Sequence, residues 1–144
     1  MKYILLFVFI IYTSGSAALD REAMLESANE VLLEGEKYGK GKNDTECVKY
    51  IIPETILCRW DCYPAQRAFL KSCLKSSTFT ESLCTGVPKK LKDKERPWET
   101  TNWDEIFSWS DSMCNDHRAE NTKCRYVLLG VVDHCTSALT KRSN

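Results

Sequence analysis

Eight cysteines offer the clearest chemistry in this 144-residue chain: Cys47, Cys58, Cys62, Cys73, Cys84, Cys114, Cys124 and Cys135. Cysteines pair as disulfides in oxidising compartments, or bind zinc when a Cys-x2-Cys pair accompanies further ligands. The sequence contains no Cys-x2-Cys and only two histidines, His117 and His134. It therefore predicts a framework of four disulfides, with no metal and no cofactor.

Side chains that could perform acid–base chemistry are few. Asp133 precedes His134, and Asp116 precedes His117. A hydrolase would also need a nucleophile held in a strained turn, or a metal with more ligands. Neither Gly-x-Ser-x-Gly nor His-Glu-x-x-His occurs. We therefore expect no catalytic residue and no enzyme activity, with His134 as a structural side chain.

The amino-terminal residues predict export from the cell. Lys2 precedes an apolar run from Ile4 to Tyr12, and small residues follow from Ser14 to Ala18. This pattern is typical of a cleaved secretory signal peptide. It predicts a signal peptide over 1–18 and a single secreted, cysteine-rich domain over 19–144. No later segment is apolar for long enough to span a bilayer, so we expect a soluble extracellular protein without membrane insertion.

Asn43, Asp44 and Thr45 form an N-glycosylation sequon in a stretch rich in glycine and lysine. Such acceptors need an exposed setting, and Asn43 is the predicted glycosylation site. The 20 basic residues balance the 20 acidic ones. This balance argues against bulk electrostatic binding to nucleic acid or to an anionic membrane.

Helical periodicity dominates the chain, and strand signals are nearly absent. We predict five helices, over Asp20–Leu33, Cys62–Lys75, Phe79–Cys84, Trp103–Cys114 and about Thr122–Leu139. Two of them should begin with a capping box, Thr78–Glu81 before Phe79–Cys84 and Asn102–Glu105 before Trp103–Cys114. Gly35, Gly39 and Gly41 predict a loop. Thr45–Ile52 is of uncertain type; Pro53 should end it and open a helix to about Trp60. The fold class is all-α: a small disulfide-clipped bundle of about five to six helices.

Several cysteines are spaced by eleven residues. Residues i and i+11 of a helix lie on the same face, about 16 Å apart. Two such cysteines could clip a three-turn helix to an antiparallel neighbour at both ends. We predict this arrangement for helices 62–73 and 124–135, with bridges Cys62–Cys135 and Cys73–Cys124.

The candidate binding residues lie between Lys89 and Phe107. Lys89, Lys90 and Lys92 belong to a charged loop that ends near Trp98, the aromatic residue we expect to be most exposed. Trp103 and Phe107 share one side of a predicted helix with Cys114, so we assign both rings to the core. They could instead line a ligand pocket or anchor a protein interface.

Two functions fit these observations. The first is a secreted non-enzymatic protein, such as a signal, a toxin-like effector or a modulator, that binds an extracellular protein or receptor. The second is an extracellular carrier of small hydrophobic ligands. A carrier needs an apolar void of a few hundred cubic ångströms, whereas a signalling protein needs a packed core and an exposed anchor.

Overall fold

The computed structural model describes residues 25–57, 62–116 and 121–142. Within these ranges the chain forms helices and no strands. The helices are α1 (25–39), α2 (Asp44–Leu57), α3 (Tyr63–Ser76), α4 (Glu81–Cys84), α5 (Trp103–Asp116) and α6 (Asn121–Arg142). The predicted small, disulfide-clipped all-α bundle is confirmed.

The chain divides into two compact units, Met1–Glu30 and Val31–Asn144, and the contacts below are those of the second. The proposed signal peptide over 1–18 lies outside the described residues, as do Cys58 and His117. The predicted domain boundaries therefore stay a prediction.

Helix α6 forms the centre of the second unit and packs against α2, α3, α4 and α5. One stripe of α6 is almost completely buried, and it consists of Cys124, Val127, Leu128, Val131, Val132 and Cys135. The steps of three and one along this stripe follow the helical period, so all six side chains point into the core. The eleven-residue spacing thus marks both ends of one buried helix face.

The disulfides join each end of α6 to a different neighbour. Cys84 of α4 bonds Cys135, and Cys114 of α5 bonds Cys124. A third bridge, Cys47–Cys73, joins α2 to α3, and Cys62 is also disulfide-bonded. Our predicted pairs Cys62–Cys135 and Cys73–Cys124 are therefore wrong. Apolar packing holds α3 against α6 instead, since Leu70 of α3 is fully buried and lies close to Gly130 of α6.

Helix α2 runs through Pro53, which we predicted would end the element. Proline removes the hydrogen bond to the carbonyl four residues earlier, here that of Lys49. Pro53 and Lys49 are both exposed, so water can hydrate the freed carbonyl. Val48, Ile51 and Ile52 on the opposite side are buried and hold the helix in place.

Helix α1 extends to residue 39, so the predicted loop at Gly35 and Gly39 is also wrong. A Cβ atom on Gly35 would lie 2.5 Å from the carbonyl oxygen of Phe69, and one on Gly39 would lie 2.4 Å from that of Cys73. These glycines allow the α1 backbone to lie directly against α3. The turn comes at Gly41, whose φ of 79° suits glycine.

Neither of the two predicted capping boxes forms. Helix α4 begins at Glu81, after Thr80 rather than Thr78, and the Thr80 side chain makes no cap bond. Its hydroxyl donates instead to Asp44 Oδ1. Helix α5 begins at Trp103 as predicted, but Asn102 and Glu105 meet only side chain to side chain, with Asn102 Nδ2 donating to Glu105 Oε2 at 3.2 Å, because Asn102 Oδ1 accepts from the Leu91 N–H.

We predict that Gly35→Ala and Gly39→Ala will each destabilise the protein. Alanine normally stabilises a helix relative to glycine, by roughly 0.5–1 kcal/mol. Here the new methyl group would meet a backbone oxygen, and overpacking costs about 1–3 kcal/mol. Urea unfolding would measure the change, with Lys37→Ala, at an exposed position of α1, as the control. A rise in stability for both glycine variants would contradict the close α1–α3 contact.

Candidate binding surface

The segment between α4 and α5 is an ordered loop. Its start is anchored in the core because Val87 and Pro88 are buried. The side chain of Asn102, at the end of the loop, binds the backbone near its start. Its Oδ1 accepts a hydrogen bond from the Leu91 N–H at 3.0 Å, and its Nδ2 donates to the Lys89 carbonyl at 2.7 Å. The loop therefore presents its lysines in defined positions.

Asp133 of α6 forms ion pairs with basic side chains from two other parts of the chain. Its Oδ1 forms an ion pair with Lys90 Nζ from the loop, and its Oδ2 lies 3.3 Å from Arg67 Nη2 of α3. The Lys90 side chain is only 17% exposed. The Lys90 N–H also donates to Thr136 Oγ1 at 3.1 Å, so both its backbone and its side chain are tied to α6.

Trp103 lies at the surface, and our assignment of its ring to the core is wrong. It is 38% exposed and stacks on the half-buried Phe107, with ring centroids 5.3 Å apart. The buried line of α5 is Ile106, Ser110 and Cys114, at steps of four. Sequence reasoning missed this line because Ser110 is polar; its hydroxyl is satisfied by the Ile106 carbonyl at 2.8 Å.

A second arginine is fixed on the same side of α5. Arg125 of α6 binds Asp111 with two bonds, Nε to Oδ1 at 2.8 Å and Nη2 to Oδ2 at 2.5 Å. This bidentate geometry orients the guanidinium plane. Its Cζ atom then lies 5.1 Å from the centroid of the Phe107 ring, a cation–π contact.

Two tyrosines complete the cluster on the α3 side. Tyr63 and Tyr126 meet edge to face, with centroids 5.0 Å apart. Arg67, held by Asp133, places its Cζ atom 4.6 Å from the Tyr126 ring centroid. Lys90 Nζ likewise lies 5.7 Å from the centroid of the Trp103 ring, a cation–π contact.

Part of this cluster lines a mostly apolar cavity of about 300 Å³ beside the half-buried Leu129, together with Thr122 and the buried Lys123. Tyr63, Phe107, Arg125, Tyr126 and Leu129 all line it. We call the following set the aromatic–arginine surface: Tyr63, Arg67, Lys90, Trp103, Phe107, Arg125, Tyr126 and Leu129. It can receive an apolar group at its centre and polar groups at its rim.

The structure brings together only some of the residues predicted from the sequence. Lys90, Trp103 and Phe107 belong to the aromatic–arginine surface. Lys89 and Lys92 are exposed on the loop, and Lys92 pairs with Thr100 in an isolated bridge. Trp98 is 75% exposed, as expected.

Asn43 immediately precedes α2 and caps it, rather than lying in an open loop. Its Oδ1 accepts from the Glu46 N–H and its own N–H donates to Glu46 Oε2, both at 2.9 Å. This reciprocal pair is a capping box. The hydrogen bond from the Asn43 N–H, with the nearby Lys42, lowers the pKa of Glu46.

The neighbouring Asp44 is fully buried and joins three elements. It accepts bonds from the Thr80 N–H, at 2.9 Å, and from the Thr80 hydroxyl, both at the start of α4. Its Oδ2 lies 3.5 Å from His134 Nε2 of α6. His134 therefore sits against a carboxylate that is already used to hold α2 and α4 together.

Comparisons with protein-family models, with curated proteins and with solved structures found no match to this chain.

Sequence reasoning did not find Tyr63, Arg67, Arg125, Tyr126 or Leu129. A signal was present, because each helix repeats its surface residues at helical spacing. Tyr63 and Arg67 are four residues apart on α3. Tyr126, Leu129 and Asp133 follow at three and four on α6, on a stripe beside the buried one. Only the fold could show that these stripes meet.

We predict that Lys90→Glu will destabilise the fold by about 1.5–3 kcal/mol, the usual contribution of a hydrogen bond to a charged group. It would remove a half-buried ion pair and place a second carboxylate beside Asp133. Lys89→Glu and Lys92→Glu lie at exposed positions and should each stay within about 0.5 kcal/mol of the natural protein. Thermal or urea unfolding would measure all three. Equal stability of the three variants would contradict the anchoring role of Lys90.

Proposed function

We propose that this chain is a secreted, non-enzymatic protein that binds an extracellular protein partner through the aromatic–arginine surface. The observation that carries the proposal is the group of half-buried and exposed aromatic and arginine side chains around the cavity beside Leu129. Tryptophan, tyrosine and arginine dominate the binding energy of protein interfaces, most strongly where an apolar pocket excludes water.

The fixed geometry of the surface supports the same conclusion. Asp111 and Asp133 hold Arg125 and Arg67 against aromatic rings before any partner arrives. A side chain that is already ordered loses little conformational entropy on binding, which favours affinity. The partner that fits has an apolar side chain for the cavity and polar groups for the charged rim.

Secretion is supported by the disulfides seen among the described residues and by the sequence of residues 1–18. Disulfides persist in oxidising environments outside the cytosol. None of the described helices carries an apolar stretch long enough to cross a membrane.

Carriage of a small hydrophobic ligand is the second candidate function. It is favoured by a separate apolar cavity of about 300 Å³ that reaches the fully buried Leu128. A carrier and a partner-binding protein would use different faces of the bundle.

We predict that a photoreactive benzophenone amino acid in place of Tyr126 will crosslink one discrete protein in extracellular fluid of the source organism. Tyr126 is 37% exposed at the edge of the cavity, within reach of a bound partner. Adding Leu129→Asp should abolish the adduct, because a charge in the cavity opposes an apolar anchor. Gel mobility and mass spectrometry would detect and identify the adduct.

The same probe at Tyr50 is the matched control, since Tyr50 is 44% exposed on α2. A probe at Trp98 tests the loop as the alternative surface. An adduct that forms equally from Trp98 and survives Leu129→Asp would move the interface to the loop. No adduct from Tyr126 would contradict the proposed function.

We predict that Asn43 carries an N-linked glycan in the secreted protein, although it caps α2. Only Oδ1 is used in the cap, which leaves Nδ2 as the attachment atom. Mass spectrometry before and after amidase treatment should show a glycan that Asn43→Asp and Thr45→Ala both remove. In glycan-free protein, Asn43→Ala should cost about 1 kcal/mol and Asn43→Asp much less, because Asp keeps the capping oxygen. An unmodified Asn43 from a glycosylating host would contradict the assignment.

A further inference from the structure

A second cavity of about 300 Å³ lies away from the aromatic–arginine surface, between α2, α4, α5 and α6. Its floor is formed by Val48, Leu128 and Val131, which are at most 5% exposed and belong to the core. Its walls include the half-buried side chains of Leu83, Trp109 and Met113. The cavity therefore enters the bundle instead of lying flat on it.

The lining of this cavity is uncharged. Apolar side chains form most of it, and Thr45, Ser82 and Thr85 add hydroxyl groups. Ser82 and Thr85 are exposed and mark the mouth. An ionised ligand would lose its hydration there without meeting an opposite charge from any of the described lining residues, which is strongly unfavourable.

The cavity is also preformed. Leu83 is adjacent to Cys84, which bonds Cys135, and Met113 is adjacent to Cys114, which bonds Cys124. The two walls contributed by α4 and α5 are thus covalently clipped to the helix that forms the floor. A rigid apolar cavity with few hydroxyls at its mouth is the usual form of a small-molecule site.

We infer that this cavity binds a small, uncharged, apolar molecule with one hydrogen-bonding group, such as a short aliphatic or aromatic alcohol or ketone. A group the size of a water molecule occupies about 30 Å³, so the cavity has room for a ligand of roughly ten such groups. The apolar body would rest on Leu128 and Val131, and the polar group would face the hydroxyls at the mouth. This inference rests on the second candidate function and names the class of ligand; it is independent of the proposed protein partner, which uses the aromatic–arginine surface.

The test is titration calorimetry with 2-naphthol, and with 2-naphthoate as its charged analogue. The natural protein should bind 2-naphthol saturably, and 2-naphthoate at least ten-fold more weakly. The cavity beside Leu129 has Lys123 and Arg125 in its lining, so a carboxylate bound there should lose less affinity relative to 2-naphthol than in the uncharged cavity. The order of the two affinities tests the uncharged lining, and variants of each cavity locate the site.

Matched variants locate the site. Met113→Trp fills the proposed cavity and should weaken 2-naphthol binding at least ten-fold, whereas Leu129→Trp fills the other cavity and should leave binding unchanged. If Met113→Trp does not fold, Ser82→Trp closes the mouth from an exposed position and should have the same effect. No saturable binding to the natural protein, tighter binding of 2-naphthoate, or loss of binding only in Leu129→Trp would each overturn the inference.

Discussion

The fold depends on one buried stripe of α6. Four helices pack against this helix, and its stripe from Cys124 to Cys135 has almost no contact with solvent. A disulfide typically stabilises a fold by about 2–4 kcal/mol, chiefly by restricting the unfolded chain. The bridges to Cys114 and Cys84 lie at both ends of the stripe, so the neighbours cannot separate from α6 without breaking a bond or unfolding.

The outer stripe of the same helix builds the aromatic–arginine surface. Isolated ion pairs at a protein surface contribute little stability, typically below about 1 kcal/mol. The value of the Arg125–Asp111 and Arg67–Asp133 pairs lies in orientation, because each holds a guanidinium group against a ring. Asp133 does more than the others, since it also binds Lys90 and so fixes the loop between α4 and α5.

The sequence predicts the local elements better than their contacts. The starts of α3, α5 and α6 each lie within about one residue of their prediction, although α3 has no side-chain cap bond and Asn102 Oδ1 bonds the loop instead of the first turn of α5. Gly35 and Gly39 were misread because a helix break and a close helix contact need the same residue type. The disulfide pairing and the position of Trp103 depend on which helices become neighbours, and the spacing within one helix does not contain that information.

The positions of the disulfides suggest why the cysteines of α6 are eleven residues apart. Leu128 and Val131, the floor of the uncharged cavity, lie between Cys124 and Cys135. One clip holds α5 beside this floor and the other holds α4. A void next to the core weakens packing, and helices free to move would close over it. Clips at both ends of the floor oppose that collapse, so the same framework that stabilises the bundle also keeps the cavity open.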